Sequence, residues 1–514
     1  MGASAIAPPQ THSAASTGSM VWLPSYCDLL LGALVLWLFA QDPGWGRLMM
    51  DGDTGWHIRT GEWILSHGAV PQQDLFSFSR PGAPWFAWEW LSDVLFASLH
   101  SVWGLSGVAV VCGIALAGAI VLLMRQMACS GANAFVAIVL AVISVGASSV
   151  HYHARPHVFT LLFLALAGNI VTADLRHPSR WLWFLVPLML VWTGLHGGFL
   201  ALIAYLALTT AGLVAESVRG LRSWHCPLRY AGLTAACAAV TLINPYGIGL
   251  HTHIAEYLRS SFIADLIQEF QSPSFRSEAS FQFELLLFAG IGCSVLSLWR
   301  GRIAPVLPVL YFAHASLGAV RHVPLYVLVA VPVIAVELTE LLRRYNAASR
   351  PKSLARELDK IAADAAANFQ RVSPWALVLA LGAVAATPSH LWPHDFAPKH
   401  FPTEMVSKWG GHLASSRLLT SDQWGDYLIY HLYPKVRVYI DGRSDFYGER
   451  IGKEYLAMLQ LDGKWREYLD KNQFDAVLAP VSWPLCSALR MSPEWREAAA
   501  DTKAALFVRR TPKL

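Results

Sequence analysis

Charge is scarce in this chain. Only 14 % of its 514 residues are Asp, Glu, Lys or Arg, against about a quarter in a typical soluble domain. That shortage argues against a string of ordinary water-soluble domains. A basic stripe is missing too: 39 Lys and Arg stand against 35 Asp and Glu, and the bases lie in short segments between apolar runs. Nucleic acid is therefore not an expected partner. The first twenty residues carry no charged side chain, and the apolar run from Val21 to Ala40 is long and lacks a clear small-residue cleavage site, so it reads as a retained span rather than a signal peptide. None of the seven cysteines forms a C-x-x-C pair, and only Cys486 lies in the polar tail, which leaves neither a disulfide framework nor a zinc site. No G-x-G-x-x-G or P-loop pattern points to a nucleotide.

What is present is apolar: 54 % of the residues are hydrophobic, 21 of them tryptophan. Runs long enough to cross about 30 Å of hydrocarbon fall near 22–41, 105–124, 131–150, 157–175, 180–195, 198–215, 229–244, 281–299, 303–320, 323–342 and 374–391. With the N-terminus inside, 15 basic residues fall in inner segments and seven in outer ones, the bias expected of cytoplasmic loops. This assignment requires "WEWLSDVLFASLH" (88–100) to lie along the interface without crossing. The expectation is an α-helical polytopic membrane protein of about 11 transmembrane helices in the cytoplasmic (inner) membrane. Residues 1–21 would form a cytoplasmic tail, 22–391 a transmembrane domain with its first outer loop at 42–104, and 392–514 a soluble extracytoplasmic α/β domain. An inner stretch, 353–370, favours a surface helix.

In the tail, strand-like runs at 417–421, 436–441, 474–480 and 505–510 alternate with helix-like runs near 424–432, 449–471 and 483–500. Alternation of this kind predicts a small domain with a mainly parallel sheet.

The charge bias places every polar cluster on the outer side: "DGDTGWH" (51–57), "HYHARPH" (151–157), "LHGG" (195–198), "NPYG" (244–247), "IQEFQSPSF" (267–275) and "RH" (321–322). Polar groups near spans are costly, and their gathering on one face suggests a shared aqueous cavity. Asp51 and Asp53 suit a helix cap or, as two carboxylates one residue apart, a Mg²⁺ or Mn²⁺ ion. The histidines His151, His153 and His157 could ligate metal or serve structure. A guanidinium such as Arg155 suits a phosphate, and Arg321 with His322 has the same potential. His196 and the "NPYG" turn read first as structural. Asp441, Arg443 and Asp445 in "YIDGRSDFYG" follow a buried-looking strand, where binding groups gather in α/β domains.

These motifs resemble the GT-C class of membrane glycosyltransferases, above all the catalytic subunit of oligosaccharyltransferase. That family's first outer loop reads roughly E-x-D-P-[WY]-F-[NH]-x-R. Here Asp51 falls on the first acid, Asp53 on the catalytic aspartate and Arg59 on the arginine. Its late-loop S-V-S-E-x-Q-P is similar to "DLIQEFQSPSF", which puts Glu269 in the glutamate's place. Its outer-domain W-W-D-Y-G is similar to "DQWGDY", with Trp424, Asp426 and Tyr427 in altered order, followed by Asp441. Its second outer loop carries an acidic pair where this chain has "HYHARPH".

The resemblance implies transfer of a sugar or oligosaccharide from a polyprenyl-phosphate-linked donor to an unidentified acceptor at the outer face, with inversion. It implies Asp53, Asp51 and Glu269 as catalytic groups, sharing a divalent cation (Mg or Mn) with His157 as a further ligand. Arg321, His322 and Arg155 would hold the donor phosphate, and Trp424, Asp426, Tyr427, Asp441 and Arg443 the acceptor. Two other readings stay open: a non-enzymatic transporter or assembly subunit on a degenerate GT-C scaffold, and a metal-independent ligase of the O-antigen type.

Overall fold

The computed structural model describes residues 23–276, 278–348 and 353–510. The expected cytoplasmic tail, 1–21, lies outside them. The chain is mostly helical, and each of the eleven apolar runs falls on a helix. Among the described residues six helices are long and apolar enough to cross a membrane: Trp90–Cys129, Ala134–His151, His157–Arg176, Gly197–Val218, Ser280–Trp299 and Val320–Ala348. Shorter apolar helices, including Tyr26–Phe39, Val306–Gly318 and Trp375–Ala385, pack among them. Tyr26–Phe39, at 14 residues, spans only about 21 Å.

The longest helix, Trp90–Cys129, is broken at Trp103 and Gly104, where Gly104 takes φ 55°. A side chain is strained in that conformation and glycine is not. The break separates a polar-edged segment, which holds the expected 88–100 helix, from the apolar segment that follows. The 353–370 stretch forms the expected helix, Leu354–Asn368.

Aromatic rings join the segment after the first apolar helix to the segment after the last one. Trp45 stacks on Phe39 at 4.1 Å and on Trp392 at 5.1 Å, and Trp103 lies 4.7 Å from Trp392. The tail then folds into helices and a four-stranded sheet of β1 (Leu418–Leu419), β2 (Ala476–Pro480), β3 (Trp495–Ala500) and β4 (Ala504–Arg509), in the order β1-β2-β4-β3.

Two expectations for the tail are corrected here. The sheet is not mainly parallel: β1 and β2 run parallel, but β2–β4 and β3–β4 are antiparallel. The cause is β3, "WREAAA", whose composition favours helix. Pairing with β4 across a tight turn overrides that preference, and the expected 483–500 helix shortens to Pro484–Arg490. The 436–441 run is not a sheet strand either. It pairs with the 42–104 segment: Val438 N donates to the Phe76 carbonyl and Phe78 N to the Val438 carbonyl, both at 2.9 Å. The tail is thus docked on the segment that carries the acidic motif.

Candidate active site

The acidic motif opens a helix, Asp53–His67, capped by Gly52. Its two aspartates divide the roles that the sequence left open. Asp51 Oδ1 accepts from Asp53 N at 3.0 Å and closes the turn. That frees the Asp53 carboxyl, which points into a cavity of about 330 Å³ between the helices and the tail. Gly52 N donates to Gln423 Oε1 at 2.8 Å, so the tail helix Asp422–Leu432 locks the turn from behind.

Arg155 stands among the acids. Its Nη2 lies 2.7 Å from Asp53 Oδ2, and its Nη1 lies 3.0 Å from Asp51 Oδ2 and 3.8 Å from Glu269 Oε2. The loop that presents it is tied down at Ala154, whose N donates to the Leu48 carbonyl at 2.9 Å and whose carbonyl accepts from Thr54 Oγ1 at 2.7 Å. Glu269 sits on a short turn, Gln268–Phe270, and also meets Arg321 Nη1 at 3.7 Å and His151 Nε2 at 3.8 Å. The Arg321 guanidinium rests on the Phe270 ring at 4.4 Å, and its buried Nη1 has no hydrogen-bond acceptor. Asp51, Asp53, Arg155, Glu269 and Arg321, drawn from four stretches of sequence, are therefore brought together. Arg155, Arg321 and His322 all line the cavity with Asp53 and Glu269.

A second acidic group was not singled out by the sequence. Glu89 lines the same cavity, with His57 Nε2 at 3.5 Å and His196 Nε2 at 3.4 Å, while His57 Nδ1 lies 2.5 Å from Asp93 Oδ1. The signal was faint: Glu89 and Asp93, four apart, share one face of a helix in an aromatic-rich stretch. Trp56, Trp85 and Trp88 supply apolar wall. His196 also caps the following turn, its Nδ1 accepting from Gly198 N at 3.0 Å.

The tail residues separate into different settings. Trp424 is buried, its indole donating to the His400 carbonyl at 2.9 Å, and the Tyr427 hydroxyl donates to Asp395 Oδ2 at 2.8 Å. Neither lines the cavity. Asp441 is taken up by the protein itself, accepting from Arg443 Nη2 at 2.7 Å and from the Tyr447 hydroxyl at 2.6 Å. Arg443 also donates to Asp74 Oδ1 at 2.8 Å, so it clamps the 42–104 segment to the tail, and it forms part of the cavity wall. Asp445 reaches the cavity too, 2.9 Å from His253 Nε2.

Asp426 lies behind Asp53, with Gly442 between them. Gly442, whose N donates to Asp426 Oδ1 at 2.9 Å, is wedged against both. A Cβ on Gly442 would lie 2.1 Å from Asp53 Oδ1 and 2.9 Å from Asp426 Oδ2, so only glycine permits this approach.

The electrostatics follow from burial and neighbours. Burial raises the Asp53 carboxyl, Arg155 opposes it, and Asp51 and Glu269 add to it, for a net rise to about 7. Burial also pushes Asp426 well above the carboxylate range, with Asp53 adding to the effect. It works against charge on Asp51 and Glu269 as well, but Arg155 holds Asp51 below the usual value, and Arg321 with Arg155 holds Glu269 well below it. Burial lifts Glu89 to about 8. Hence one cavity holds carboxylates that stay charged beside carboxyls poised to carry a proton near neutral pH.

The expected divalent cation does not fit this donor set. Asp51, Asp53 and Glu269 converge on the Arg155 guanidinium, and His157, the fourth expected ligand, has its Nε2 2.7 Å from the His151 carbonyl. Among the described residues no group of three or more His, Cys, Asp or Glu is placed to hold a metal ion.

A bundle of apolar helices with an acidic segment after its first helix, closed by a small C-terminal sheet domain, has a fold similar to that of known membrane enzymes. The likeness is to archaeal oligosaccharyltransferase. The structure of AglB from Archaeoglobus fulgidus in complex with an inhibitory peptide and a dolichol-phosphate matches with TM-score 0.52 and 13 % identity, over 88 % of this chain and 69 % of that one. The apo form of the oligosaccharyltransferase from the same organism matches with TM-score 0.50, 12 % identity and the same coverage. A form tethered by a disulfide to an acceptor peptide containing the NVT sequon matches with TM-score 0.52 and 12 % identity, over 88 % of this chain and 68 % of that one. No protein-family model matches the sequence, and no curated protein sequence matches it. At such identity the likeness establishes the shared fold.

Proposed function

We propose that this protein is a membrane glycosyltransferase that moves a sugar or oligosaccharide from a polyprenyl-phosphate-linked donor to an acceptor, at the outer face of the cytoplasmic membrane. One observation carries the reading: the cavity sets a proton-accepting carboxyl, Asp53, in the same chamber as Arg321, whose buried Nη1 has no acceptor. A buried guanidinium with an unused N–H suits an anionic leaving group. A carboxyl lifted to about 7 suits a general base at neutral pH. The dolichol-phosphate bound by the structurally similar archaeal enzyme fits a lipid phosphate donor.

In this reading Asp53 takes the proton of the acceptor group as that group attacks the anomeric carbon. The bond from that carbon to the phosphate oxygen breaks on the opposite side, and the configuration inverts. Arg321 stabilises the departing lipid phosphate, His322 lines the phosphate's end of the chamber, and Asp51 and Arg155 fix Asp53. Asp426, packed behind Asp53 across Gly442, takes a positioning role in place of acceptor contact. Trp424 and Tyr427 support that helix from within the tail, and Asp441 with Arg443 keeps the tail docked. The N-terminus lies inside, the tail outside, and the domain limits follow the sequence reading at 22–391 and 392–514.

The test is transfer from a labelled polyprenyl-linked sugar by the full-length protein in membranes. Wild type is expected to label an acceptor and Asp53→Asn to fail while keeping its thermal stability. Equal transfer by the two proteins would refute the assignment of Asp53.

A further inference from the structure

We infer that Arg155 is the resident cation of this site: its guanidinium takes the place of a divalent metal among Asp51, Asp53 and Glu269, and transfer runs without metal. The inference rests on the proposed transferase reading but is carried by separate geometry. A Mg²⁺ ion must approach carboxylate oxygens to about 2.0–2.1 Å. The Arg155 nitrogens already hold oxygens of Asp53 and Asp51 at 2.7 and 3.0 Å and face Glu269 at 3.8 Å, so a metal ion could enter only by expelling the guanidinium.

That expulsion is resisted by the way the loop is built. Ala154, next to Arg155, is tied through its N to the Leu48 carbonyl and through its carbonyl to Thr54 Oγ1. His157 is tied back to the His151 carbonyl. The loop offers no carboxylate of its own between Ser149 and Val158; it delivers a fixed positive charge where a metal site needs ligands.

Three carboxylates, Asp51, Asp53 and Glu269, face the two guanidinium groups of Arg155 and Arg321. Arg155 has five N–H donors, and the carboxylates do not use them all; with part of its edge in the cavity wall, it can hold Asp53 in place and face the donor phosphate at once. No bond is made or broken by Arg155: it positions Asp53 and screens charge.

The test uses the purified full-length protein, stripped with EDTA, and reads Mn²⁺ binding by electron paramagnetic resonance beside the transfer assay. Wild type is expected to leave Mn²⁺ free in solution and to change its transfer rate less than about twofold in EDTA. Arg155→Ala, which bares the three carboxylates, is expected to bind one Mn²⁺. Arg155→Lys keeps the charge and is expected to bind none, while losing the two-pronged grip on Asp51 and Asp53 and with it about tenfold in transfer. A wild-type protein that binds one Mn²⁺, lost in Asp53→Asn, would overturn the inference, as would transfer abolished by EDTA and restored by Mn²⁺. A folded Arg155→Ala protein that binds no Mn²⁺ would overturn the claim that the guanidinium fills a cation's place. Wild type without transfer from any polyprenyl-linked donor would defeat the transferase reading alone, because the wild-type Mn²⁺ arm needs neither substrate nor substitution.

Discussion

At the end of the bundle opposite the cavity, Asp174 and Glu216 are as buried as Asp53, at 3 %, 4 % and 4 % exposure, yet their oxygens are all matched. Asp174 accepts from both Nη atoms of Arg229, at 2.8 and 3.0 Å, from the Tyr230 hydroxyl and from Ser179 N. Glu216 accepts from Arg222 and from the backbone of Ile303 and Ala304. Around the cavity, by contrast, Asp53 Oδ1, Asp426 Oδ2, Asp93 Oδ2 and Arg321 Nη1 lack a hydrogen-bond partner. Buried polar atoms are usually satisfied because leaving one unpaired costs about 1–3 kcal/mol. The ion pairs at the far end therefore hold helices together, while in the proposed transferase the cavity atoms are kept for protons and an anion.

Substitutions can break this contrast, and they rank by expected effect on transfer. Asp53→Asn should lower transfer about a thousandfold or more, the range for a lost general base, with no fall in Tm; a matching fall in Tm would make Asp53 structural. Arg321→Ala should cost about 10²–10³ in kcat, as for a lost oxyanion donor, and steady-state kinetics with labelled donor would show it. Gly442→Ala brings a Cβ to 2.1 Å from Asp53 Oδ1 and should cost about a hundredfold, through displacement of the base.

The pH profile is a milder probe. Asp53 must be deprotonated to accept a proton, and its carboxyl lies near 7, so kcat/KM should fall about tenfold per unit below pH 7 and level off above it. The smallest effect on transfer belongs to Arg229→Ala, at the end of the bundle opposite the cavity. It leaves the buried Asp174 uncompensated and should cost about 3–5 kcal/mol of stability, yet transfer per folded molecule should stay within about twofold. Calorimetry beside the transfer assay would separate the two effects.

Much of the site was legible because its residues are odd where they stand. A D-G-D after an apolar run, an R-H at the start of one and an arginine among histidines are costly near lipid, and Asp53, Asp51, Glu269, Arg155 and Arg321 converge as that cost suggested. What escaped was pairing across distance. Glu89 meets His57 and His196 from other segments, and Asp426, expected on the acceptor, backs Asp53. The tail sheet was misread at β3 because "WREAAA" speaks for helix until β4 supplies its partner.

The sequence by itself determined the class of molecule. Hydropathy is a local property, so the eleven apolar runs and the break before the tail follow from composition alone. Tertiary structure decided which acid faces the cavity, since Asp51 and Asp53 differ only in how the Gly52 turn and the tail helix aim them. It also decided what lies between the acids: no spacing rule places residue 155 against residues 51, 53 and 269. Packing does, through Ala154 held to Leu48 and Thr54, and it sets a guanidinium where sequence chemistry had led one to expect a metal.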